Sequence, residues 1–182
     1  MARVKGTILI DFVKVIKSDK QGRFDPYLSA EDKKVIAERI LPSAWYPYGT
    51  YKNCFTGVVA VVGNNNLQTV RQWGRLYGEA IITGVYKGII KEGAPLESLA
   101  KYSTHIHNLF DFGELEAVPL SAAEAEMVMR GFDSDFEPQF HMMRGWLERS
   151  VELCGAREIK SDFSMKSWDG APETRLTIAW RL

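Results

Sequence analysis

Histidine and cysteine are the residue types in this chain best suited to bind a metal or to act as nucleophiles. They occupy positions His105, His107, His141, Cys54 and Cys154. The two cysteines lie far apart in the sequence and form no metal-ligand pair. Residues two positions apart on a helix point about 200° away from each other, so we do not expect His105 and His107 to hold one metal ion together. A single histidine could serve as an axial ligand, but beside an apolar helix face we favour a hydrogen-bonded structural role.

Acidic residues form two further candidate groups. The first group, Asp133-Ser-Asp135-Phe-Glu137, resembles the beginning of a calcium loop. It lacks the glycine and the closing glutamate of such a loop, and Pro138 interrupts it. We therefore expect these carboxylates to favour the positive end of the following helix. The second group is Asp111, Glu114 and Glu116, which we interpret as a solvated rim because no nucleophile lies nearby.

No sequence motif of an enzyme is visible. The chain contains no phosphate-binding loop, dinucleotide-binding fingerprint, nucleophile elbow or zinc pair. We therefore expect a non-enzymatic protein without a metal or a cofactor.

Aromatic residues are concentrated in residues 44–51, which read AWYPYGTY. Such rings bring a polar tip into an apolar cavity and suit a flat or lipophilic ligand, but the same rings also build an ordinary core. From the residues alone, the two interpretations are equal. The candidate ligand-binding residues are Trp45, Tyr46, Tyr51, Trp73, Tyr77, Tyr102, His107, Phe110 and Trp146.

The elements that must position these rings follow from the hydrophobic pattern. Residues 5–17 form a helix, with a strand as the alternative, and a capping-box-like start at Ser29 begins a helix that stops before Pro42. Further helices are predicted over residues 51–62, 67–91, 95–110 and 136–153, and strands over residues 113–120, 125–132, 156–168 and 173–182. This order predicts one α+β domain over residues 1–182, with N-terminal and central helices packed on a C-terminal antiparallel sheet.

Glycines recur in the predicted helix over residues 67–91. They are Gly74, Gly78, Gly84 and Gly88. Each costs about 1 kcal/mol relative to alanine in a helix, so each needs a compensating gain. The gain is close approach by another element or by a ligand, and we favour tight helix packing.

Charge and polarity exclude several classes of partner. Lysine plus arginine and aspartate plus glutamate both number 23, so no net field attracts nucleic acid or an anionic membrane. The uncharged stretch over residues 53–70 contains glycines and asparagines and is too polar to span a bilayer. Met1 is followed by Ala-Arg-Val-Lys rather than by a signal peptide, so we expect a cytoplasmic protein with reduced thiols.

Several motifs resemble a superfamily of ligand-binding domains. Haem nitric-oxide-binding domains begin with a motif similar to Val4-Lys-Gly-Thr-Ile-Leu. An uncharacterised bacterial family abundant in myxobacteria shows the closest resemblance, in Leu41-Pro-Ser-Ala-Trp-Tyr-Pro with Tyr51, Arg71-Gln-Trp-Gly-Arg, Gly84-Val-Tyr86 and Leu109-Phe-Asp-Phe-Gly113. The 4-vinyl reductase domain of bacteriochlorophyll synthesis is similar to Gly145-Trp-Leu-Glu148, Cys154-Gly155, Trp168-Asp-Gly170 and Ala179-Trp180. The superfamily also contains Golgi vesicle-tethering (TRAPP-type) subunits, and the resemblance covers nearly the whole chain.

The resemblance implies helices on an antiparallel sheet around an apolar cavity for haem, a hydrocarbon or acyl chain, or a tetrapyrrole precursor. Haem members use an axial histidine, and His107 falls near that place. Their tyrosine-serine-arginine signature for the haem propionates has no counterpart in this chain, so haem is not expected. The candidate propionate donors are Arg71, Arg75 and Arg130. Vinyl reductase members carry cysteines near the final strands, where this chain has Met165 and Thr174.

These observations predict a sensory or regulatory domain that binds a lipophilic or flat aromatic small molecule. The alternative is a protein–protein adapter that forms a homodimer through a helical face, as vesicle-tethering relatives do. A second alternative is a haem-binding gas sensor that uses His107, or a component of a tetrapyrrole vinyl reductase.

Overall fold

A computed structural model of the chain describes residues 1–84 and 88–182, apart from the side chains of Ile81 and Thr83. The chain forms two compact units. The N-terminal unit comprises Met1–Asn66 and His107–Phe112, and the C-terminal unit comprises Leu67–Ile106 and Gly113–Leu182. Helices and antiparallel strands occur in both units, so the predicted α+β class is confirmed. Among the residues that the structure describes, no helix is both long and apolar enough to cross a membrane.

The N-terminal unit combines helices with two short strands. Its elements are β1 (Arg3–Lys5), α1 (Gly6–Ser18), α2 (Ala30–Ala37), β2 (Trp45–Pro47) and α3 (Tyr48–Val61). For residues 5–17 the sequence pattern allows a helix or a strand, and the structure places residues 6–17 in α1. The hydrophobic stripe decides this, because Ile8, Leu9, Phe12, Val13 and Ile16 are all buried on one side of the helix.

Strand β1 connects the two sequence segments of this unit. It pairs antiparallel with β2 on one edge. On its other side, the Lys5 N–H donates to the Leu109 carbonyl oxygen at 2.9 Å, and the Asp111 N–H donates to the Arg3 carbonyl oxygen at 3.1 Å. These bonds bring residues 107–112 into the N-terminal unit.

Helix α2 begins with the capping box that the sequence predicts. The Asp32 N–H donates to the Ser29 hydroxyl at 3.1 Å, and the Ser29 N–H donates to the Asp32 carboxylate at 2.9 Å. The two residues thereby satisfy donors that the helix cannot satisfy itself. The helix ends at Ala37, earlier than the predicted limit at Pro42.

An aromatic cluster forms the core of the N-terminal unit. Phe12 of α1 stacks on Phe55 of α3, with ring centroids 4.6 Å apart. Tyr51 contacts both rings edge-on and also contacts Phe110, at 6.2 Å. All four side chains are buried, so this cluster fixes α1, α3 and residues 107–112 together.

The C-terminal unit contains longer helices and a four-stranded antiparallel sheet in the order β3-β4-β6-β5. Its elements are α4 (Leu67–Thr83), α5 (Pro95–His105), β3 (Glu114–Ser121), β4 (Glu124–Arg130), α6 (Glu137–Leu153), β5 (Arg157–Met165) and β6 (Thr174–Arg181). Strand β6 buries alternate side chains, Leu176, Ile178 and Trp180, as its sequence pattern predicts. Helix α6 packs on α4, on α5 and on β5.

Close packing between α4 and α6 depends on glycine. A Cβ atom at Gly74 would overlap the carbonyl oxygen of Met142, and one at Gly145 would overlap the carbonyl oxygen of Arg71. These obstacles are backbone atoms, which cannot rotate away. The expectation that the glycines of α4 permit close approach by another element is therefore confirmed for Gly74.

Two predicted helices end earlier than expected. The helix predicted over residues 67–91 ends at Thr83, and Gly88 lies in a turn. Residues 85–87, which include part of the Gly84-Val-Tyr86 motif, lie outside the described residues. The helix predicted over residues 95–110 ends at His105 and continues as a short 3-10 turn over Ile106–Asn108. Helical structure stops after this turn because backbone groups of Leu109 and Asp111 form hydrogen bonds with β1 instead.

We predict that Gly145→Ala lowers the free energy of unfolding by about 1–3 kcal/mol, because overlap with the α4 backbone outweighs the gain in helix propensity. Denaturant unfolding measures the change. The matched control is Gly49→Ala in α3, where, apart from the adjacent residues and the backbone of α3 itself, no described atom lies within 4 Å of the new Cβ. The control should leave stability unchanged or raise it by up to about 1 kcal/mol. Equal stability of Gly145→Ala and the native protein would contradict the proposed close contact.

Candidate functional site

Tyr102 and Trp146 bring α5 and α6 into direct aromatic contact. Their ring centroids are 5.5 Å apart and their planes make an angle of 77°, an edge-to-face arrangement. Both side chains are buried. Residue 78 of α4 is a glycine, and a Cβ atom there would overlap the indole of Trp146. Gly78 therefore provides the space that seats Trp146 against both α4 and α5.

Two buried side chains on α6 have polar atoms that lack a hydrogen-bond partner among the residues that the structure describes. These atoms are the indole Nε1 of Trp146 and both amide atoms of Gln139. Only 4% of Trp146 and 3% of Gln139 is exposed. Seven residues correspond to about 700° of helical rotation, so the two side chains lie on one face of α6, within about 20° of each other. We call this the orphan face of α6.

Two methionines accompany the orphan face on α6. Met142 and Met143 lie between its two polar residues in sequence and are buried. The buried carboxylate of α6, Glu148, is nine residues from Gln139, which corresponds to about 180° of rotation and hence to the opposite side of the helix. In composition this face therefore resembles a small-molecule site, which is mostly apolar with a few placed polar atoms.

Glu148 anchors a cluster of charges on that opposite side. Its side chain is 1% exposed, and Arg71 holds both carboxylate oxygens, with Nε at 2.9 Å and Nη2 at 2.8 Å. Arg75 Nη1 lies at 3.3 Å, Arg144 Nε lies at 3.1 Å, and the Ser161 hydroxyl donates a further hydrogen bond. One buried carboxylate thus ties α4 and β5 to α6, and its charge is fully compensated.

Glu152 extends the cluster by one turn of α6. Arg75 Nη2 lies at 2.6 Å and Arg149 Nη1 at 2.8 Å from its oxygens, and Arg149 also binds Glu79 at 3.0 Å. Burial opposes the ionisation of Glu152, but the hydrogen bonds from both arginines outweigh burial and hold its pKa below the usual value. The arginines of α4 and α6 are therefore committed to carboxylates of this unit.

Sequence reasoning missed both the Glu148 cluster and the orphan face. The cluster has a signal, because Arg71 and Arg75, and likewise Arg144 and Glu148, are spaced four apart and therefore share a helix face. The sequence gives no signal for the burial of Gln139, since a glutamine near the start of a helix is ordinarily solvated. Only the three-dimensional packing reveals that its amide is buried.

In the N-terminal unit, the structure brings the predicted residues Tyr51 and Phe110 together in the aromatic core, 6.2 Å apart. Burial raises the pKa of the Tyr51 hydroxyl, so this group stays neutral. Its ring is enclosed by Phe12, Phe55 and Phe110, which is the environment of a core residue.

Trp45 and Tyr46 make local contacts in the same unit. The Lys5 ammonium lies 4.2 Å and the Arg3 guanidinium 5.5 Å from the centroid of the Trp45 ring, so cations occupy the ring face. The hydroxyl of Tyr46 accepts a hydrogen bond from the Leu41 N–H at 2.8 Å. Both aromatic side chains are half-buried.

The remaining predicted ligand-binding residues are more exposed. His107 lies exposed in the 3-10 turn after α5, in the N-terminal unit. Trp73 and Tyr77 are half-buried on α4, in the C-terminal unit. In the same unit, the predicted residues Tyr102 and Trp146 contact each other.

His141 and the acidic residues before α6 have structural roles. The His141 ring packs near Phe163 and Trp168 and lies 3.3 Å from Glu137. Burial lowers its pKa, although Glu137 acts in the opposite direction. The Asp135 N–H donates to the Asp133 carboxylate at 3.0 Å, and no group of three or more potential ligands able to hold a metal occurs in the described parts of the chain.

A surface cleft of about 360 Å³ opens elsewhere in the C-terminal unit, between the turn after β4 and the turn before β6. Met129, Phe132 and Phe140 supply its apolar wall. Its carboxylate, Glu173, is already bound by Arg130 at 2.6 Å and by Arg175. The carboxylate of the cleft thus has partners within the protein, whereas the polar atoms of Gln139 and Trp146 lack them among the described residues, so we favour the orphan face of α6 as the candidate ligand site.

Comparison with solved structures shows that the fold is that of H-NOX proteins. The Fe(II) unliganded H-NOX protein from K. algicida matches with a TM-score of 0.70 at 13% identity, over 98% of this chain and 97% of that chain. An S. oneidensis H-NOX protein in the Fe(II)NO state matches with a TM-score of 0.69 at 10% identity, over 98% and 99%. An oxygen-binding H-NOX domain related to soluble guanylate cyclases matches with a TM-score of 0.63 at 16% identity, over 98% and 95%. No protein-family model and no curated protein sequence matches the chain.

We predict that Glu148→Gln lowers the free energy of unfolding by about 3–5 kcal/mol, because it leaves buried guanidinium charge uncompensated. Equilibrium denaturation measures the loss. The control is Glu158→Gln, whose side chain is 60% exposed in its pair with Arg181 and should change stability by less than about 1 kcal/mol. Similar effects of the two substitutions would show that the Glu148 cluster does not hold α4 and β5 to α6.

Proposed function

We propose that this chain is a non-enzymatic sensory or regulatory domain that binds an uncharged, largely apolar small molecule. The binding surface is the orphan face of α6 together with Tyr102 of α5. A flat or elongated ligand suits this surface, because Trp146 and Tyr102 offer ring faces and edges rather than charges.

One observation carries the proposal, namely the buried indole N–H of Trp146 without an acceptor among the described residues. Leaving such a donor unpaired costs about 1–3 kcal/mol, so proteins rarely retain one without a purpose. Phenylalanine would supply a similar ring at this position without that cost. An acceptor atom of a bound molecule would satisfy the donor.

The nucleophiles of the chain support a non-enzymatic role. Burial is the main cause that raises the pKa of Cys54, to about 12, and burial also raises the pKa of Cys154. A thiol with a raised pKa supplies little thiolate, the reactive form, near neutral pH. The buried carboxylate Glu148 is enclosed by Arg71, Arg75 and Arg144, which occupy its oxygens.

Haem is the second candidate ligand, because the H-NOX proteins named above are described in Fe(II) and gas-bound states. The residues of this chain do not fit it. The candidate propionate donors are engaged elsewhere, since Arg71 and Arg75 bind Glu148 and Arg130 binds Glu116 and Glu173. The candidate axial ligand, His107, is exposed, and the edge-to-face contact of Tyr102 with Trp146 leaves no space for a macrocycle between those rings.

A protein–protein adapter is the other alternative, and a homodimer stays a prediction. Leu76 on α4 is 68% exposed and would suit a helical interface. A single exposed leucine is common on monomeric proteins, however, so it favours the adapter less than the orphan face favours a ligand.

We predict that the purified protein binds fluorenone, a flat ketone with one acceptor, and fluorene, its hydrocarbon counterpart. Trp146→Phe should weaken fluorenone binding about three- to tenfold, the equivalent of one hydrogen bond, and leave fluorene binding unchanged. Titration calorimetry gives both affinities, and native mass spectrometry reveals any ligand that co-purifies. Trp45→Phe, in the other unit, is the control and should bind both compounds normally. Failure of the native protein to bind either compound or to retain any ligand would refute the proposed function.

We also predict that the protein purifies colourless. Expression with added 5-aminolaevulinate, a haem precursor, should give no stoichiometric Soret band, because the arginines and His107 do not form a haem site. The absorption spectrum of the native protein is compared with those of His107→Ala and His105→Ala. A near-stoichiometric Soret band that either substitution abolishes would contradict this prediction and identify a haem-based gas or redox sensor.

A further inference from the structure

Gln139 is the most unusual buried residue of the chain. It lies in the first turn of α6, where 3% of it is exposed, and both its Oε1 and its Nε2 lack a hydrogen-bond partner in the described parts of the chain. The buried serines of this unit are satisfied, since Ser98 donates to the Ala94 carbonyl and Ser150 donates to the Trp146 carbonyl. The indole N–H groups of Trp146 and Trp180 lack an acceptor among the described residues. Gln139 differs from both because a donor and an acceptor are unpaired in the same side chain.

A buried amide without hydrogen-bond partners destabilises the folded state, and a leucine or methionine of similar size would not. Glutamine offers one strong acceptor and two donors at the end of a flexible side chain. Because both kinds of atom are unpaired, the missing partner must present a donor and an acceptor side by side. A carboxamide, a lactam or a comparable edge of a heterocycle has this arrangement.

We infer that Gln139 recognises an amide-like edge on an uncharged, elongated ligand that lies along the orphan face of α6. The inference rests on the proposed function and names the ligand class for the same surface. Gln139 and Trp146 are seven residues apart, which places them about 10 Å apart along the helix axis. A ligand that reaches both is therefore about the length of three fused rings.

The residues between these two positions suit the body of such a ligand. Met143 is buried and lies about 40° from Gln139 around the helix. Methionine adapts to irregular apolar shapes and contacts aromatic rings favourably through sulfur. An uncharged ligand suits this face because Gln139 and Trp146 carry no charge, whereas the arginines that contact Glu148 on the opposite side are already paired with it.

Two probes separate this inference from general apolar binding. Phenanthridinone is a tricyclic lactam with adjacent N–H and C=O groups, and phenanthrene has the same shape without them. We expect the native protein to bind phenanthridinone at least tenfold more tightly than phenanthrene. Gln139→Met should abolish that preference and leave the affinity for phenanthrene unchanged.

Stability provides a second readout that a purely structural glutamine would not give. Removal of an unsatisfied buried amide should raise the melting temperature of the ligand-free protein by about 2–6 °C. The control is Gln72→Met at an exposed position of α4, which should alter neither the affinities nor the melting temperature.

The outcomes distinguish the two proposals. If phenanthrene and fluorenone bind but phenanthridinone shows no preference that depends on Gln139, the inference is wrong and the proposed function stands. A lower melting temperature of ligand-free Gln139→Met would also overturn the inference, because it would indicate that the amide is satisfied by ordered water. If none of the three compounds binds, the proposed function fails and the inference fails with it. Loss of the lactam preference together with a higher melting temperature supports the inference.

Discussion

Helices α4 and α6 approach so closely that one methyl group at Gly74, Gly78 or Gly145 would overlap atoms of the other helix. The other features of the C-terminal unit depend on this approach. It accompanies the ion pairs of Arg71 and Arg75 with the buried Glu148. The glycines lower helix propensity, and the packing and ion pairs that they permit offset that loss. This helix pair therefore combines close backbone packing with buried ion pairs.

Helix α6 carries ion-paired residues on one side and uncharged residues on the other. One side presents Glu148 and Glu152 to arginines, where every charge has a partner. The other side presents Trp146 and Gln139, buried polar groups without charge and without partners in the described chain. The first arrangement favours a rigid scaffold, because each ion pair fixes two elements. A ligand surface built on such a scaffold keeps its geometry when the ligand is absent, which lowers the entropic cost of binding.

The sequence predicts the class and order of the elements because their signals are local. The apolar stripe of α1, the Ser29 capping box and the alternation in β6 each depend on neighbouring residues alone. The early end of α5 could not be predicted, since it depends on hydrogen bonds between β1 and residues 109–111, more than a hundred positions away. The same holds for the candidate site. Tyr102 and Trp146 were predicted as aromatic residues, but the burial of Gln139 arises only when α6 is packed.

Aromatic composition alone does not locate a ligand site in this chain; the hydrogen-bonding state of the polar atoms on the rings is more informative. Tyr46 and Trp146 are both amphipathic rings in contact with a glycine of a neighbouring helix. The hydroxyl of Tyr46 accepts a bond from the Leu41 N–H, and its ring lies beside Gly6. Its polar and apolar parts are both used within the N-terminal unit. The indole of Trp146 uses its apolar part against Gly78 and Tyr102, whereas its N–H is buried without an acceptor in the described chain. By this criterion the ring of Tyr46 belongs to the core, whereas the ring of Trp146 belongs to the candidate site.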